Sequence, residues 1–251
     1  MSQPYNPYAA PQTGSAGAAS PPPYGQPQPW EPGEVLSLAW ARFQENWLVL
    51  VLAYFIYMLV TQIVGQGPVW LWTIVSPPEH PGPFAQLGVQ GPSTLFATVV
   101  GAFLQVGFLR ICLEVVRGGT PQIGALFAGG DRFLPLLGAN ILVGLVVGLG
   151  MLLLIVPGII IALSLFPVQF YVVDAKMGPM EAMRASRAAT KGHKGNLFGL
   201  SVAYVGIALL GLLACCVGIV AAVPLCYLAS AIVYVRLSGL GTATADVRPR
   251  G

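Results

Sequence analysis

The chain has 251 residues, 55% hydrophobic and only 8% charged, with 31 glycines and a formal net charge of +3. Roughly two thirds of it is therefore apolar or glycine, against about half in soluble domains. Too few charges remain to cover a water-exposed surface, so the composition excludes an ordinary cytosolic enzyme and specifies a polytopic, all-α membrane protein.

Residues 1–30 carry eight prolines, three tyrosines and no charge. Such a segment cannot bury enough surface to offset its ordering entropy and reads as a disordered cytoplasmic tail. It has neither the basic nor the apolar region of a secretory signal. Pro21-Pro22-Pro23-Tyr24 resembles a PPxY-type ligand, although a solvated spacer is the favoured reading.

Residues 31–239 form the membrane domain, and 240–251 a short C-terminal tail. Pro32 suits a first helical turn, Glu34 suits the positive helix terminus, and Leu36, Trp40, Phe43 and Trp47 recur at helical spacing. An interfacial helix over 31–47, with its tryptophans at headgroup level, leads into the first span. The spacing predicts six spans: about 47–64, about 93–116, and two in each of the uncharged runs 133–173 and 195–235. A spanning helix needs about 20 apolar residues, so each run folds as a hairpin. The expected bends are Val156-Pro157-Gly158 and the region from Gly218 to Pro224. Several identities at an offset of 60, Gly158 with Gly218 among them, suggest duplicated hairpins. Residues 65–92, with Trp70, Trp72 and clustered prolines, read as an aromatic anchor followed by a rigid loop.

All 12 basic residues fall on one side of this six-span arrangement. Positively charged loops resist translocation, so both termini are expected in the cytoplasm.

Arg110 and Glu114 are the ionisable side chains inside a predicted span. Four apart on a helix, they share a face and can pair. They either form an interfacial pair, with Arg110 reaching the headgroups, or line an ion pathway. Gln105, Asn140 and Gln169 lie deeper, where interhelical hydrogen bonds and a substrate site explain them equally well. Gly144 and Gly148, at GxxxG spacing, suggest tight helix contacts within the chain or between copies.

Gly178-Pro179 starts a further helix, with Glu181 in its first turn and Gly192 as its stop. At 100° per residue, Arg184, Arg187 and Lys191 share one narrow face, and Ala182, Ala185, Ser186 and Ala189 lie nearly opposite. Together with Lys194 the basic face can meet anionic lipid phosphates or a protein partner; an ordinary positive-inside loop is the plainer reading. The cysteines Cys112, Cys215, Cys216 and Cys226 lie within or beside apolar runs and read as buried hydrophobes. No Walker loop, HExxH, GxSxG or histidine-supported carboxylate pair is present, so neither catalysis nor a cofactor or metal is expected. Asp174 is the one carboxylate placed to act as an acid or base near a cytoplasmic pocket. Nucleic acid is not an expected partner, whereas membrane lipids, a protein partner or a second copy are.

Arg117-Gly118-Gly119 with Leu126-Phe127, Leu154-Ile155-Val156-Pro157-Gly158, Val172-Val173-Asp174, Gly178-Pro179-Met180-Glu181-Ala182 with Ser186, and Lys191-Gly192-His193-Lys194 form a pattern across about half the chain. In these residues the chain resembles bacterial integral membrane proteins of uncharacterised function, related to the membrane domain attached to some glycerophosphodiester phosphodiesterases. The resemblance implies a multi-span helical bundle in a bacterial inner membrane and carries no catalytic residues. No phosphodiesterase catalytic domain accompanies it. A scaffold or accessory component is the expectation, and a transporter or channel with a polar pathway between hairpins is the alternative.

Overall fold

In the computed structural model, which describes residues 29–75, 83–213 and 217–239, every regular element is helical. The elements are α1 (Pro32–Val75), α2 (Pro83–Val116), a 3-10 turn (Ile123–Phe127), α3 (Phe133–Leu153), α4 (Ile155–Leu165), α5 (Val168–Val173), α6 (Pro179–Ala189), α7 (Lys194–Leu213) and α8 (Val217–Ser238). Five of the described helices are long and apolar enough to cross a membrane. The Pro-rich tail, the PPxY-like motif, the C-terminal tail, Cys215 and Cys216 lie outside the described residues.

The junction between interfacial helix and first span falls where the sequence puts it. Asn46 leaves helical geometry (φ −127°, ψ 18°) and kinks α1 immediately before Trp47. Before the kink, Val35, Leu38, Ala39 and Phe43 are buried, while Trp40 and Trp47 face outward. Trp30, assigned to the tail by sequence, belongs to the fold: it is buried, stacks on His193, and its carbonyl accepts a hydrogen bond from Asn196 at 2.6 Å.

Beyond the kink the expected boundaries shift. The segment 65–92 is largely helical, because α1 runs through Pro68 to Val75 and α2 includes Pro92. Neighbouring helices and an apolar environment allow proline within a spanning helix that water would break. Trp70 and Trp72 thus sit, exposed, on the last turns of a helix. The reversal expected at Val156-Pro157-Gly158 occurs at Leu154, a single extended residue (φ −161°, ψ 134°) between α3 and α4. Pro157 becomes the third residue of α4, where its missing N–H had no intrahelical acceptor to lose. In the second run α7 ends at Leu213 and α8 begins at Val217, with Pro224 inside α8.

Both hairpins close on glycine. A side chain at Gly150 would meet the Gly158 Cα at 3.1 Å, and one at Gly211 would meet the Gly218 carbonyl carbon at 3.0 Å. At the offset of 60 Gly158 corresponds to Gly218, but Gly150 stands opposite Leu210, so the two approaches are alike without being in register. The two hairpins differ after their turns, since the run after Leu154 is broken at Phe166-Pro167 into α4 and α5 whereas α8 continues as one helix. A Cβ at Gly144 or Gly148 would meet nothing within 4 Å among the described residues, so their GxxxG spacing marks no close helix approach there.

The helices pack around α2 and α8, whose buried residues include Leu109, Ile111, Leu126 against α2, and Leu228, Ile232 and Tyr234. Helices α3 and α7 turn leucines and valines outward, such as Leu145, Leu149, Val205 and Leu209. That outward apolar surface suits lipid and would be a liability in water.

Candidate functional site: a basic end and a buried amide ring

The ends of α2, α3, α5, α7 and α8 and the N-terminal part of α1 gather at one basic end, laced by ion pairs. Arg110 does not pair with Glu114. Its guanidinium binds both oxygens of Asp131 at 2.7 Å and donates to the Ala128 carbonyl. Two glycines cause this. At Gly107 a Cβ would lie 2.1 Å from the Leu126 carbonyl oxygen, and at Gly129 one would lie 2.0 Å from that of Phe103. Without side chains at these positions, the loop carrying the 3-10 turn crosses α2 in direct backbone contact and delivers Asp131 to Arg110. Burial alone would raise the Asp131 pKa, but the hydrogen bonds and positive charge of Arg110 hold it below the usual carboxylate range.

Arg117 bridges to Asp174 at 2.7 Å, and the Tyr234 hydroxyl donates to the same carboxylate oxygen at 2.9 Å. Asp174 is thus the junction of α2, α5 and α8. It is an engaged anchor, which leaves it poorly placed as the free base considered from sequence. Arg236 clasps both oxygens of Glu34 at 2.9 and 2.8 Å, joining the end of α8 to the interfacial part of α1. Arg132 donates to the Lys176 carbonyl at 3.0 Å. A cavity of about 380 Å³ opens here, lined by Arg110, Glu114, Arg117, Asp174 and Lys176.

Helix α6 lies across this end as the sequence predicts. Ala182, Met183 and Ser186 are buried, and Arg184, Arg187, Lys191 and Lys194 are exposed. Gly192 stops the segment with φ +93°, a conformation that glycine adopts without strain. The small face is also a hydrogen-bonding one. Ser186 Oγ donates to the Ser164 carbonyl at 2.7 Å, and Thr190 Oγ1 approaches the same oxygen at 3.2 Å. Sequence reading credited Ser186 only with small size; the nearby Pro167, which interrupts the helical ladder and frees carbonyls, is the signal that could have shown its role. No ion pair involves Arg184, Arg187, Lys191 or Lys194 among the described residues.

The three deep amides converge. Asn140 Nδ2 donates to Gln105 Oε1 at 2.8 Å, Gln105 Nε2 to Gln169 Oε1 at 3.2 Å, and Gln169 Nε2 to Asn140 Oδ1 at 3.3 Å. Each amide gives one hydrogen bond and takes one, so α2, α3 and α5 are tied by a closed ring. Gln105 and Asn140 also floor a second cavity of about 380 Å³ between α1 and α2. Gln169 lines a third of about 280 Å³ bounded by Phe166, Tyr227 and Ser230. Arg110 and Glu114 join neither, so the five polar residues grouped by sequence divide into a ring and an end cluster. Among the described residues no three His, Cys, Asp or Glu side chains could hold a metal ion together.

Helices of spanning length, an outward apolar surface and a charged end define a membrane-embedded helical protein. A family model described as protein of unknown function (DUF975) matches residues 151–240, from the end of α3 through α8. The chain is 26% identical to an uncharacterised protein of Mycobacterium tuberculosis over 255 residues, covering 91% of this chain and 76% of the relative. A protein of Mycobacterium bovis, likewise uncharacterised, matches to the same extent. A UPF0259 membrane protein of Pectobacterium carotovorum is 35% identical over 112 residues, 44% of each chain. No solved structure matches. These similarities support an uncharacterised bacterial membrane protein.

Proposed function

We propose that the protein is a non-enzymatic scaffold or accessory component of a bacterial inner membrane that holds anionic lipid headgroups on α6. In this reading α4 and α5 together make a sixth crossing, both termini are cytoplasmic, and the kinship extends to the membrane domain attached to some glycerophosphodiester phosphodiesterases. One observation carries it. At an end where Arg110, Arg117 and Arg236 each have a carboxylate partner, Arg184, Arg187, Lys191 and Lys194 are exposed without one among the described residues. Each such cation beside an anionic surface contributes about 1 kcal/mol. Neutralising three would remove about 2 kcal/mol once about a third is lost to screening, and so weaken headgroup retention by about 30-fold.

The test compares the full chain with its Arg184→Gln, Arg187→Gln, Lys191→Gln triple variant in nanodiscs of mixed zwitterionic and anionic lipid. Native mass spectrometry reads the anionic lipid that stays bound. The triple variant is expected to lose it, and equal retention would refute the lipid role. A protein partner would instead appear as a cross-linked species in native membranes that the triple variant fails to form. The alternative, a transporter or channel, is favoured by the cavity above Gln105 and Asn140. Solute-dependent flux in proteoliposomes, abolished by replacing Asn140, would support it.

A further inference from the structure

The cavity between α1 and α2 has a chemistry the basic end lacks. Its polar lining is Tyr57, Thr61, Gln62, Gln66, Thr94, Thr98, Gln105 and Asn140, and none of these is charged. Room for it comes from Gly65, Ala97, Gly101 and Ala102. At a rise of about 1.5 Å per residue, Tyr57 lies about 16 Å along α1 from the Asn46 kink and Gln66 about 30 Å. The cavity therefore runs from the middle of the bilayer to the interface away from the basic end.

The hydrogen-bonding character of this lining follows from what each group already does. Thr61 gives its hydroxyl proton to the Tyr57 carbonyl at 2.8 Å, and Thr98 gives its proton to that of Thr94 at 2.7 Å. Their oxygens remain as acceptors on facing walls. Asn140 donates one N–H within the ring and keeps the other at the floor. At the mouth, the Gln62, Gln66 and Thr94 side chains are exposed and make no hydrogen bond with described residues. Amides left unpartnered beside hydrocarbon are costly, so this groove favours water or an occupant that hydrogen-bonds. A charged occupant would meet no counter-charge. A group that both donates and accepts without charge is a hydroxyl.

We infer that this cavity binds a neutral, hydroxyl-rich ligand, a polyol or sugar, presented either as a lipid headgroup or free. Gln105 and Asn140 line it, so the ligand's oxygen accepts from Asn140 at the edge of the amide ring, and the mouth amides hold the outer hydroxyls. This site is independent of the α6 surface, and their tests separate.

Full-length protein in phosphocholine nanodiscs, prepared without sugar detergents that would compete, is loaded with glucosyl diacylglycerol or with phosphatidic acid, and bound lipid is read by native mass spectrometry. A parallel arm adds free glucose. Retention of the glucosyl lipid over the phosphocholine lipid is expected to be about tenfold or more. A Cβ at Gly101 would meet Thr61 at 3.5 Å and the Tyr57 hydroxyl at 3.9 Å, ordinary contacts. Gly101→Ala should therefore retain the ligand, and Gly101→Leu, which fills the cavity, should abolish the preference. Gln62→Leu with Gln66→Leu, on the exposed mouth, should also abolish it with the fold intact. The α6 triple variant should leave it unchanged. Displacement by free glucose identifies a soluble source; retention of the glucosyl lipid alone identifies a lipid source. The inference is overturned if wild-type protein prefers neither glucosyl lipid nor glucose, if phosphatidic acid binds this site as well, or if the mouth and cavity variants bind like wild type.

Discussion

Replacing Gly107 by alanine tests the argument that backbone contact positions the charged loop. The added Cβ would lie 2.1 Å from the Leu126 oxygen and 2.5 Å from its carbonyl carbon and Cα. An ordinary contact at that position needs more than about 3.2 Å, and the obstructing atoms are backbone, so the loop must move by about 1 Å or more. Overpacking of this kind costs about 1–3 kcal/mol, with the high end fitting a backbone obstruction. Displacement also costs the Arg110–Asp131 pair, worth at most about 1 kcal/mol because both partners are partly exposed. Alanine returns about 1 kcal/mol in helix propensity. The net expectation is a destabilisation of about 2–3 kcal/mol. Gly144, also helical and with open space around it, is the control: Gly144→Ala should be neutral or stabilising by up to about 1 kcal/mol. Unfolding free energies from denaturing-detergent titration in mixed micelles, followed by circular dichroism, give both. If Gly107→Ala is as stable as Gly144→Ala, the loop does not rest on that glycine and the reasoning fails.

Other consequences can be measured the same way. Asp174→Asn should destabilise by about 1–2 kcal/mol, since the partly exposed Arg117 loses its counter-charge and the Tyr234 hydroxyl its charged acceptor; the double variant with Arg117→Gln should cost less than the sum of the singles, and simple additivity would contradict the pairing. Gln105→Leu opens the amide ring and should cost about 1–2 kcal/mol, a loss that should largely vanish in a background already carrying Gln169→Leu and Asn140→Leu. For Asp131 the folded pKa is depressed, so its pair with Arg110 contributes stability above the unfolded carboxylate value of about 3.9, and that contribution disappears as pH falls through the lower folded value. The stability excess of wild type over Asp131→Asn should accordingly shrink below about pH 4, and an excess that grew on acidification would contradict the assignment.

Features encoded by neighbouring residues were readable in the sequence. The α6 helix, its two faces and its stop at Gly192 follow from a local pattern of Gly-Pro, alanines and basic residues, and the kink before Trp47 follows from a change in composition. The turn at Leu154 was two residues from the expected one, because proline serves equally as a helix breaker and as a first-turn residue. Pro68 and Pro92 misled in the same way: their cost in water does not carry over to a helix surrounded by apolar neighbours. The partner of Arg110 was illegible, because Asp131 stands 21 residues away and reaches it only through contacts at two glycines that carry no chemical signal. The amide ring closes over separations of 35, 64 and 29 residues. Its members were visible singly, but their meeting depends on the rotation of three helices.

The hydroxyls that Ser186 and Thr190 offer to the Ser164 carbonyl have a mechanical meaning. Pro167 interrupts the ladder next to that oxygen, so lifting α6 away would strand an acceptor in an apolar setting. These bonds and the buried small face hold the basic helix against the bundle and oppose its swinging out like an arm. In the proposed role, a headgroup or partner would have to fit a ridge whose shape is already fixed.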